Sequence, residues 1–151
     1  MARPAPATRG YYAAFVAVPT RWQDNDAYGH LNNVAYLGIC DTALTLWQYE
    51  AGILDPADAT TPEGGRLVMA ETGCVYHSEA RFPDPLHAGL RLGRMGNSSL
   101  RLEIGLFAGT EAAACAEVFF VQVHVSAQTG RPLPLQDALR GRFAALGPPR
   151  D

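Results

Sequence analysis

The stretch RWQDNDAYGHLNNVAYL, residues 21–37, decides how this sequence folds. It places two aspartates, a glycine, a histidine and an asparagine pair between an aromatic, β-branched segment and a long apolar run. Most of these residue types are unfavourable inside a strand, whereas asparagine is a good N-cap for a helix. The stretch is therefore either an ordinary capped turn or a reactive site built where a helix begins.

The segments on either side of this stretch differ in period. Residues 11–22, YYAAFVAVPTRW, predict a first strand with Pro19 at a bulge or an edge. Downstream, apolar residues at helical spacing predict a long buried helix that starts after Asn32 or Asn33 and stops at Gly52. Beyond a loop rich in proline and glycine, the period changes to two.

The period of two predicts four strands in antiparallel succession, over residues 66–82, 86–96, 99–109 and 111–127. Gly73 is a possible bulge, Gly109–Thr110 reads as a hairpin turn, and residues 135–146 predict a short terminal helix. Because helices and strands do not alternate, we expect an α+β protein, with one long central helix wrapped by a five-stranded antiparallel sheet.

A single domain over residues 11–147, preceded by a flexible N-terminal tail of residues 1–10, fits the length of 151 residues. The last strand carries apolar side chains on both faces, since Phe119 and Val121 alternate with Val118 and Phe120. A homodimer whose sheets join edge to edge would cover both that second face and the exposed edges.

Composition narrows the classes of function. Hydrophobic residues make up 48% of the chain and the formal net charge is −3, so nothing predicts a nucleic-acid or membrane partner. All 12 basic residues are arginines, which excludes a lysine nucleophile. The three cysteines are widely spaced and odd in number, which indicates reduced thiols. We therefore predict a cytoplasmic protein with no metal site.

The opening stretch closely resembles the (W/Y)xDxDxxGHxNNxxYL signature of hotdog-fold thioesterases of the 4-hydroxybenzoyl-CoA thioesterase-like group. The resemblance implies a hotdog fold, a homodimer or homotetramer, and activity on acyl-CoA or acyl-carrier thioesters. It implies no cofactor, because coenzyme A arrives as part of the substrate. By the same correspondence, Asp26 is the catalytic carboxylate, and the main-chain donor at the helix start falls on or next to Asn33.

The chemistry of thioester hydrolysis suits these residues. The leaving thiol has a pKa near 8.5, taking free cysteine as the guide, and departs without much help from an acid. Asp26 would either activate water or attack directly to give a mixed anhydride. The first-turn amides of the helix would stabilise the oxyanion, and Gly29 would let the chain turn sharply between carboxylate and helix. Asp24, by contrast, is expected to be a solvated turn residue.

The remaining candidates are expected to bind or orient. We expect His30 to orient the loop by hydrogen bonding more than to act as an acid or base. Substrate contacts are expected from Asn32, Tyr36, Asp41 and His77, and the coenzyme A moiety is expected on Arg91, Arg94, Ser98 and Ser99. Asp41 is equally compatible with a buried structural role. Glu79 stays with His77 on a short list of cleft residues.

Two other functions remain open at this stage. One is a hotdog dehydratase acting on 3-hydroxyacyl thioesters, and the other is a non-catalytic acyl-thioester binding protein. An aryl or a medium alkyl acyl group, and coenzyme A or an acyl-carrier protein as donor, are equally compatible with the sequence.

Overall fold

The computed structural model describes residues 2–147. Five strands form one antiparallel sheet in the order β1-β3-β4-β5-β2. Their bounds are β1 Ala14–Val18, β2 Gly65–Tyr76, β3 Leu86–Met95, β4 Ser99–Ala108 and β5 Ala116–Ser126. The long helix α1, Asn33–Glu50, lies between β1 and β2 in sequence, and the short helix α2, Asp137–Phe143, follows β5. The predicted architecture of one long helix and a five-stranded antiparallel sheet is confirmed.

Helix α1 is held against the sheet by its apolar face. Its buried residues recur every three or four positions, from Tyr36 and Cys40 to Leu44. They pack in one core with the inward-facing side chains of the sheet: Leu90, Leu92, Leu102, Ile104, Val118 and Phe120. Asn32 is the N-cap, and Gly52, with a φ of +70°, follows the helix in a conformation that glycine adopts readily. Both predicted ends of the helix are confirmed.

The edge strands differ from their predicted extents. Strand β1 covers residues 14–18 and not 11–22, because Tyr11 ends one 3-10 turn and Trp22 begins another. Strand β2 ends at Tyr76, and residues 77–85 form a loop. The β4–β5 connection takes residues 109–115, so the expectation of a tight Gly109–Thr110 hairpin turn is wrong.

The bulge of β2 lies between Met69 and Glu71, so Gly73 is not a bulge. Gly73 pairs regularly with Phe119, and a Cβ on Gly73 would lie 2.3 Å from the Phe119 ring. The glycine is required there because an aromatic ring from the neighbouring strand occupies the space of its side chain.

The N-terminal segment crosses the face of the sheet opposite α1. Thr8 bridges to Ala113, and the Ala114 N–H donates to the Ala7 carbonyl at 2.9 Å. The Tyr12 ring lies over two strands at glycines, and a Cβ on Gly105 would be 2.4 Å from the Tyr12 hydroxyl. The division into a flexible tail of residues 1–10 and a domain of residues 11–147 stays a prediction, although the described part of the tail contacts the sheet.

Antiparallel pairing places the connecting loops at two opposite ends of the sheet, where the strands begin and finish. Helix α1 starts at one end of the sheet. At that end β1, β2 and β4 finish, and β3 and β5 begin. The loops of residues 19–32, 77–85 and 109–115 therefore meet there. The β3–β4 turn lies at the other end of the sheet, about 30 Å away along strands of this length.

Within residues 2–147, no helix has the length and apolarity needed to cross a membrane.

Candidate active site

The loop between β1 and α1 folds back on itself as a small turn. Asn25 bridges to Leu31, and the Asp26 N–H donates to the His30 carbonyl at 2.9 Å. The Gly29 N–H donates to the Asp26 carbonyl at 3.1 Å, and Gly29 has a φ of +81°. That left-handed conformation is open to glycine without steric cost, so Gly29 allows the chain to reverse before the helix.

The two oxygens of the Asp26 carboxylate have different surroundings. Oδ1 accepts a hydrogen bond from the Tyr28 N–H at 2.8 Å, which is an Asx turn of the ordinary structural kind. Oδ2 lies 3.9 Å from His30 Nδ1, beyond hydrogen-bond distance. One oxygen thus fixes the orientation of the carboxylate, while the other remains available to a ligand.

The first turn of α1 leaves one amide uncommitted. The Val34 N–H donates to Asn32 Oδ1 at 3.0 Å, and the Ala35 N–H donates to the Asn32 carbonyl at 2.9 Å. The Asn33 N–H has no acceptor within residues 2–147. Because this amide also lies at the positive end of the helix dipole, it is suited to stabilise a developing negative charge.

A cavity of about 360 Å³ collects these groups. Its lining comprises Asp26, Tyr28, His30, Leu31, Asn33, Tyr36, Tyr76, His77, Ser78 and Glu79. The structure therefore brings together six residues that the sequence singled out from separate segments: Asp26, His30, Asn33, Tyr36, His77 and Glu79. Their catalytic and binding roles stay predictions.

His30 lies between two acidic residues of the cavity. Its ring stacks on Tyr28 with a centroid distance of 5.9 Å and an interplanar angle of 15°. Its Nε2 lies 3.5 Å from Glu79 Oε1, and its carbonyl accepts from the Asp26 amide. The His30 side chain makes no hydrogen bond within residues 2–147, and its predicted role in orienting the loop stays a prediction.

Two tyrosines form the wall beside the helix start. Tyr36 is buried and its hydroxyl oxygen accepts from the Ala80 N–H at 3.3 Å, while its ring meets Tyr76 edge to face at 5.1 Å. The Tyr76 hydroxyl donates to the Asn33 carbonyl at 2.7 Å. Partial desolvation of its hydroxyl, followed by the nearby Cys74, raises the pKa of Tyr76 to about 12, so the hydroxyl stays protonated at neutral pH. The sequence patterns did not single out Tyr76 as a site residue, because there it is simply an aromatic residue of a predicted strand.

Asp24 supports the site from behind. It is buried, so the expectation of a solvated turn residue is wrong. Its Oδ2 accepts from the Arg21 N–H and its Oδ1 accepts from the Arg21 guanidinium, both at 2.8 Å. Burial alone would raise the pKa of the Asp24 carboxyl, but the hydrogen bonds and charge of Arg21 outweigh it and lower the pKa. The Asp24 carbonyl accepts from the Asn32 N–H at 2.8 Å, which fixes the start of the helix.

Two predicted contact residues on or beside α1 lie outside the cavity. Asp41 is exposed on α1, so the alternative of a buried structural partner is wrong. Asn32 acts as the helix cap through its side chain.

The four residues predicted to hold coenzyme A lie on β3, at the β3–β4 turn and at the start of β4, away from the Asp26 cavity. Arg91 is buried, with its guanidinium 4.1 Å from the centroid of the Tyr11 ring, whereas Arg94 is exposed. Ser98 and Ser99 are half-buried at the β3–β4 turn, at the end of the sheet opposite Asp26. In a single chain, none of these four residues lines the Asp26 cavity.

Comparison with known proteins agrees with this geometry. A sequence model of the Thioesterase-like superfamily matches residues 20–143. The chain belongs to the thioesterase-like superfamily. This thioesterase-like protein is thus a thioester hydrolase, with the hotdog fold that its signature stretch implied.

Three solved structures illustrate the similarity. The PA5185 protein of Pseudomonas aeruginosa is 38% identical, with a TM-score of 0.86 over 95% of this chain and 96% of that one. A thioesterase of Thermus thermophilus, complexed with coenzyme A and Zn, is 30% identical, with a TM-score of 0.71 over 89% and 94%. Slr0204 of Synechocystis, a 1,4-dihydroxy-2-naphthoyl-CoA thioesterase, shares the fold at 15% identity, with a TM-score of 0.76 over 89% and 98%. No curated protein matches the sequence.

The Asp24–Arg21 pair makes the free energy of unfolding depend on pH in the acid range. Because the folded-state pKa of Asp24 is lowered, its contribution is present above the ordinary aspartate pKa of about 3.9 and is lost as pH falls through the folded-state value. Urea unfolding of the wild type and Asp24→Asn should therefore show the larger difference in unfolding free energy at pH 7 and a smaller one at pH 3. A difference that stays constant between these pH values would contradict the assigned pKa direction.

Proposed function

We propose that the protein hydrolyses an acyl- or aryl-CoA thioester to the free acid and coenzyme A, with Asp26 as general base or nucleophile. The observation that carries this proposal is the pairing of two uncommitted groups in one cavity. These are the Oδ2 oxygen of Asp26 and the N–H of Asn33. A carboxylate and an oxyanion donor are what the reaction requires, because the thiol is a good leaving group.

The oxyanion is assigned to the start of α1. Attack on the thioester carbonyl moves negative charge onto its oxygen, and the Asn33 N–H would stabilise that charge without having to break another hydrogen bond. One such donor contributes roughly 2.7–4 kcal/mol of transition-state stabilisation. The Tyr76 hydroxyl supports the donor by binding the carbonyl of the same residue at 2.7 Å, which holds the first turn of the helix against β2.

Asp26→Asn tests the carboxylate directly. The asparagine oxygen can still accept from the Tyr28 N–H, so the Asx turn and the fold should persist. We expect thiol release from hexanoyl-CoA and benzoyl-CoA, followed with a thiol reagent, to fall about 10²–10⁴-fold.

The chain offers a matched control for this variant. Asp55 forms the same kind of Asx turn, with its Oδ1 accepting from the Ala57 N–H at 2.9 Å, and it does not line the Asp26 cavity. Asp55→Asn should leave turnover unchanged. Full turnover in Asp26→Asn, with both variants folded, would refute the assignment of the carboxylate.

The edge strand β2 supports a second part of the proposal, a homodimer or a dimer of dimers. Strand β2 is 12 residues long, pairs only with β5 within residues 2–147, and exposes Val68, Met69, Val75 and Tyr76. A long apolar edge of this kind normally pairs with another chain. Because Tyr76 also lines the Asp26 cavity, a partner on β2 would lie at its mouth.

Antiparallel pairing of two β2 strands would also explain the distant coenzyme A candidates. The end of the partner sheet that holds the β3–β4 turn would then lie beside this chain's active site. This would bring Arg94, Ser98 and Ser99 of the partner subunit towards it. Arg94 is better placed for a phosphate than Arg91, because its guanidinium is exposed.

Sedimentation tests the dimer. The wild type should sediment at twice or four times the chain mass of 16.2 kDa, and Val68→Lys should shift it towards the monomer by placing a charge on the edge. Leu46→Lys, at a similarly exposed apolar residue on α1, should retain the dimer. A monomeric wild type at micromolar concentration would refute this interface.

A further inference from the structure

An exposed tyrosine ring stands beside the Asp26 carboxylate. Tyr28 is 84% exposed, the highest value among the large hydrophobic side chains of residues 2–147. Its backbone N–H donates to Asp26 Oδ1 at 2.8 Å, and the next amide, of Gly29, donates to the Asp26 carbonyl at 3.1 Å. The backbone of Tyr28 is therefore fixed relative to the carboxylate that the proposed reaction uses.

The ring of Tyr28 is held on one of its two faces. It stacks on the His30 imidazole with a centroid distance of 5.9 Å and an interplanar angle of 15°, as in an offset-stacked pair. His30 Nδ1 in turn lies 3.9 Å from Asp26 Oδ2, the oxygen that remains available to a ligand. Within residues 2–147, no other aromatic ring packs on Tyr28. Its second face is therefore open, close to the oxygen that would attack a thioester.

The lining of the Asp26 cavity is rich in rings. Tyr28, Tyr36 and Tyr76 all line it, whereas Leu31 is the one residue with an aliphatic side chain among its described lining residues. The hydroxyl groups of Tyr36 and Tyr76 are engaged with backbone groups of the protein. These tyrosines therefore offer an acyl group mainly ring surface.

We propose that the acyl group of the substrate is an aryl group, and that Tyr28 is a specificity-determining residue whose open ring face stacks on it. This inference rests on the proposed function and selects one of the two substrate classes that it allows. In an aryl thioester the ring is bonded directly to the carbonyl carbon, so it lies close to Asp26 Oδ2 when that carbon is in reach. An alkyl chain in the same place would contact Tyr28 without the electrostatic gain of paired rings.

The stack would form with little loss of conformational freedom. The Asx turn fixes the backbone of Tyr28 and the His30 ring supports its side chain before any ligand binds, so little freedom remains to be lost. The gain of paired rings beyond their buried area corresponds to about 2- to 12-fold in affinity. Because the stack exists before the attack as well as during it, the gain should appear in KM more than in kcat.

Steady-state kinetics with benzoyl-CoA and hexanoyl-CoA, followed by thiol release, tests the proposal. The wild type should have the higher kcat/KM for benzoyl-CoA. Tyr28→Leu keeps an apolar side chain but removes the ring. It should lower the ratio of kcat/KM for benzoyl-CoA to that for hexanoyl-CoA about 2- to 12-fold, mainly through a higher KM for benzoyl-CoA. Tyr28→Phe, which keeps the ring, should retain the wild-type ratio.

The ratio separates recognition of the acyl group from damage to the site. Any non-proline residue at position 28 can donate its N–H to Asp26 Oδ1, so the Asx turn should persist in both variants. A shift of His30 or of the loop would affect both substrates alike, because the same carboxylate attacks both. Such a shift cancels in the ratio.

Trp22→Leu is the matched control. Trp22 belongs to the same loop between β1 and α1, is 76% exposed, and packs edge to face on the Phe82 ring at 6.0 Å. It does not line the Asp26 cavity. The loss of this ring should leave the ratio of the two substrates at its wild-type value.

An unchanged ratio in Tyr28→Leu would overturn the proposal, and so would a wild type that prefers hexanoyl-CoA. An equal fall for both substrates in Tyr28→Leu, the result expected of a ring that packs on a partner subunit, leaves the ratio unchanged and has the same meaning. A ratio lowered as far in Tyr28→Phe or Trp22→Leu would also count against the stack. No thiol release from either substrate, or full turnover in Asp26→Asn, would instead refute the proposed function itself, so the two failures are distinguishable.

Discussion

The hydrogen bond from the Asn32 N–H to the Asp24 carbonyl, 2.8 Å long, closes the loop on which the site depends. It joins the 3-10 turn after β1 to the N-cap of α1, while the Leu31 N–H donates to the Ala80 carbonyl at 2.7 Å and anchors the loop to the opposite wall. Between these two bonds the chain has little freedom. The carboxylate of Asp26 and the amide of Asn33 are therefore held facing the same cavity.

The sheet contributes to the site through its edge strand and the loop that follows it. The Tyr76 hydroxyl holds the first turn of α1, and His77 is held by Glu117 from the neighbouring strand. The exposed apolar side chains that make β2 a candidate dimer edge therefore lie next to the side chains that wall the cavity. In our proposal, assembly and catalysis depend on the same strand.

The sequence predicted the parts of this structure that have a local cause. Helical spacing, the Asn32 cap and Gly52 defined α1, and period-two alternation defined β3 and β4 closely. Features that depend on residues distant in sequence were missed. The position of the β2 bulge depends on its register with β5, and the Glu117 partner of His77 is 40 residues away. The burial of Asp24 depends on how its turn packs, which alternation along a strand does not encode.

In the proposed reaction, one oxygen of the Asp26 carboxylate and the N–H of Asn33 converge on the substrate carbonyl. A crystal structure with an acyl-CoA analogue in which a methylene group replaces the thioester sulfur tests it most directly. We expect the analogue's carbonyl oxygen about 2.7–3.1 Å from Asn33 N, and its carbonyl carbon about 3–3.5 Å from Asp26 Oδ2. A carbonyl bound away from the start of α1, or an Asp26 side chain turned out of the cavity, would contradict it.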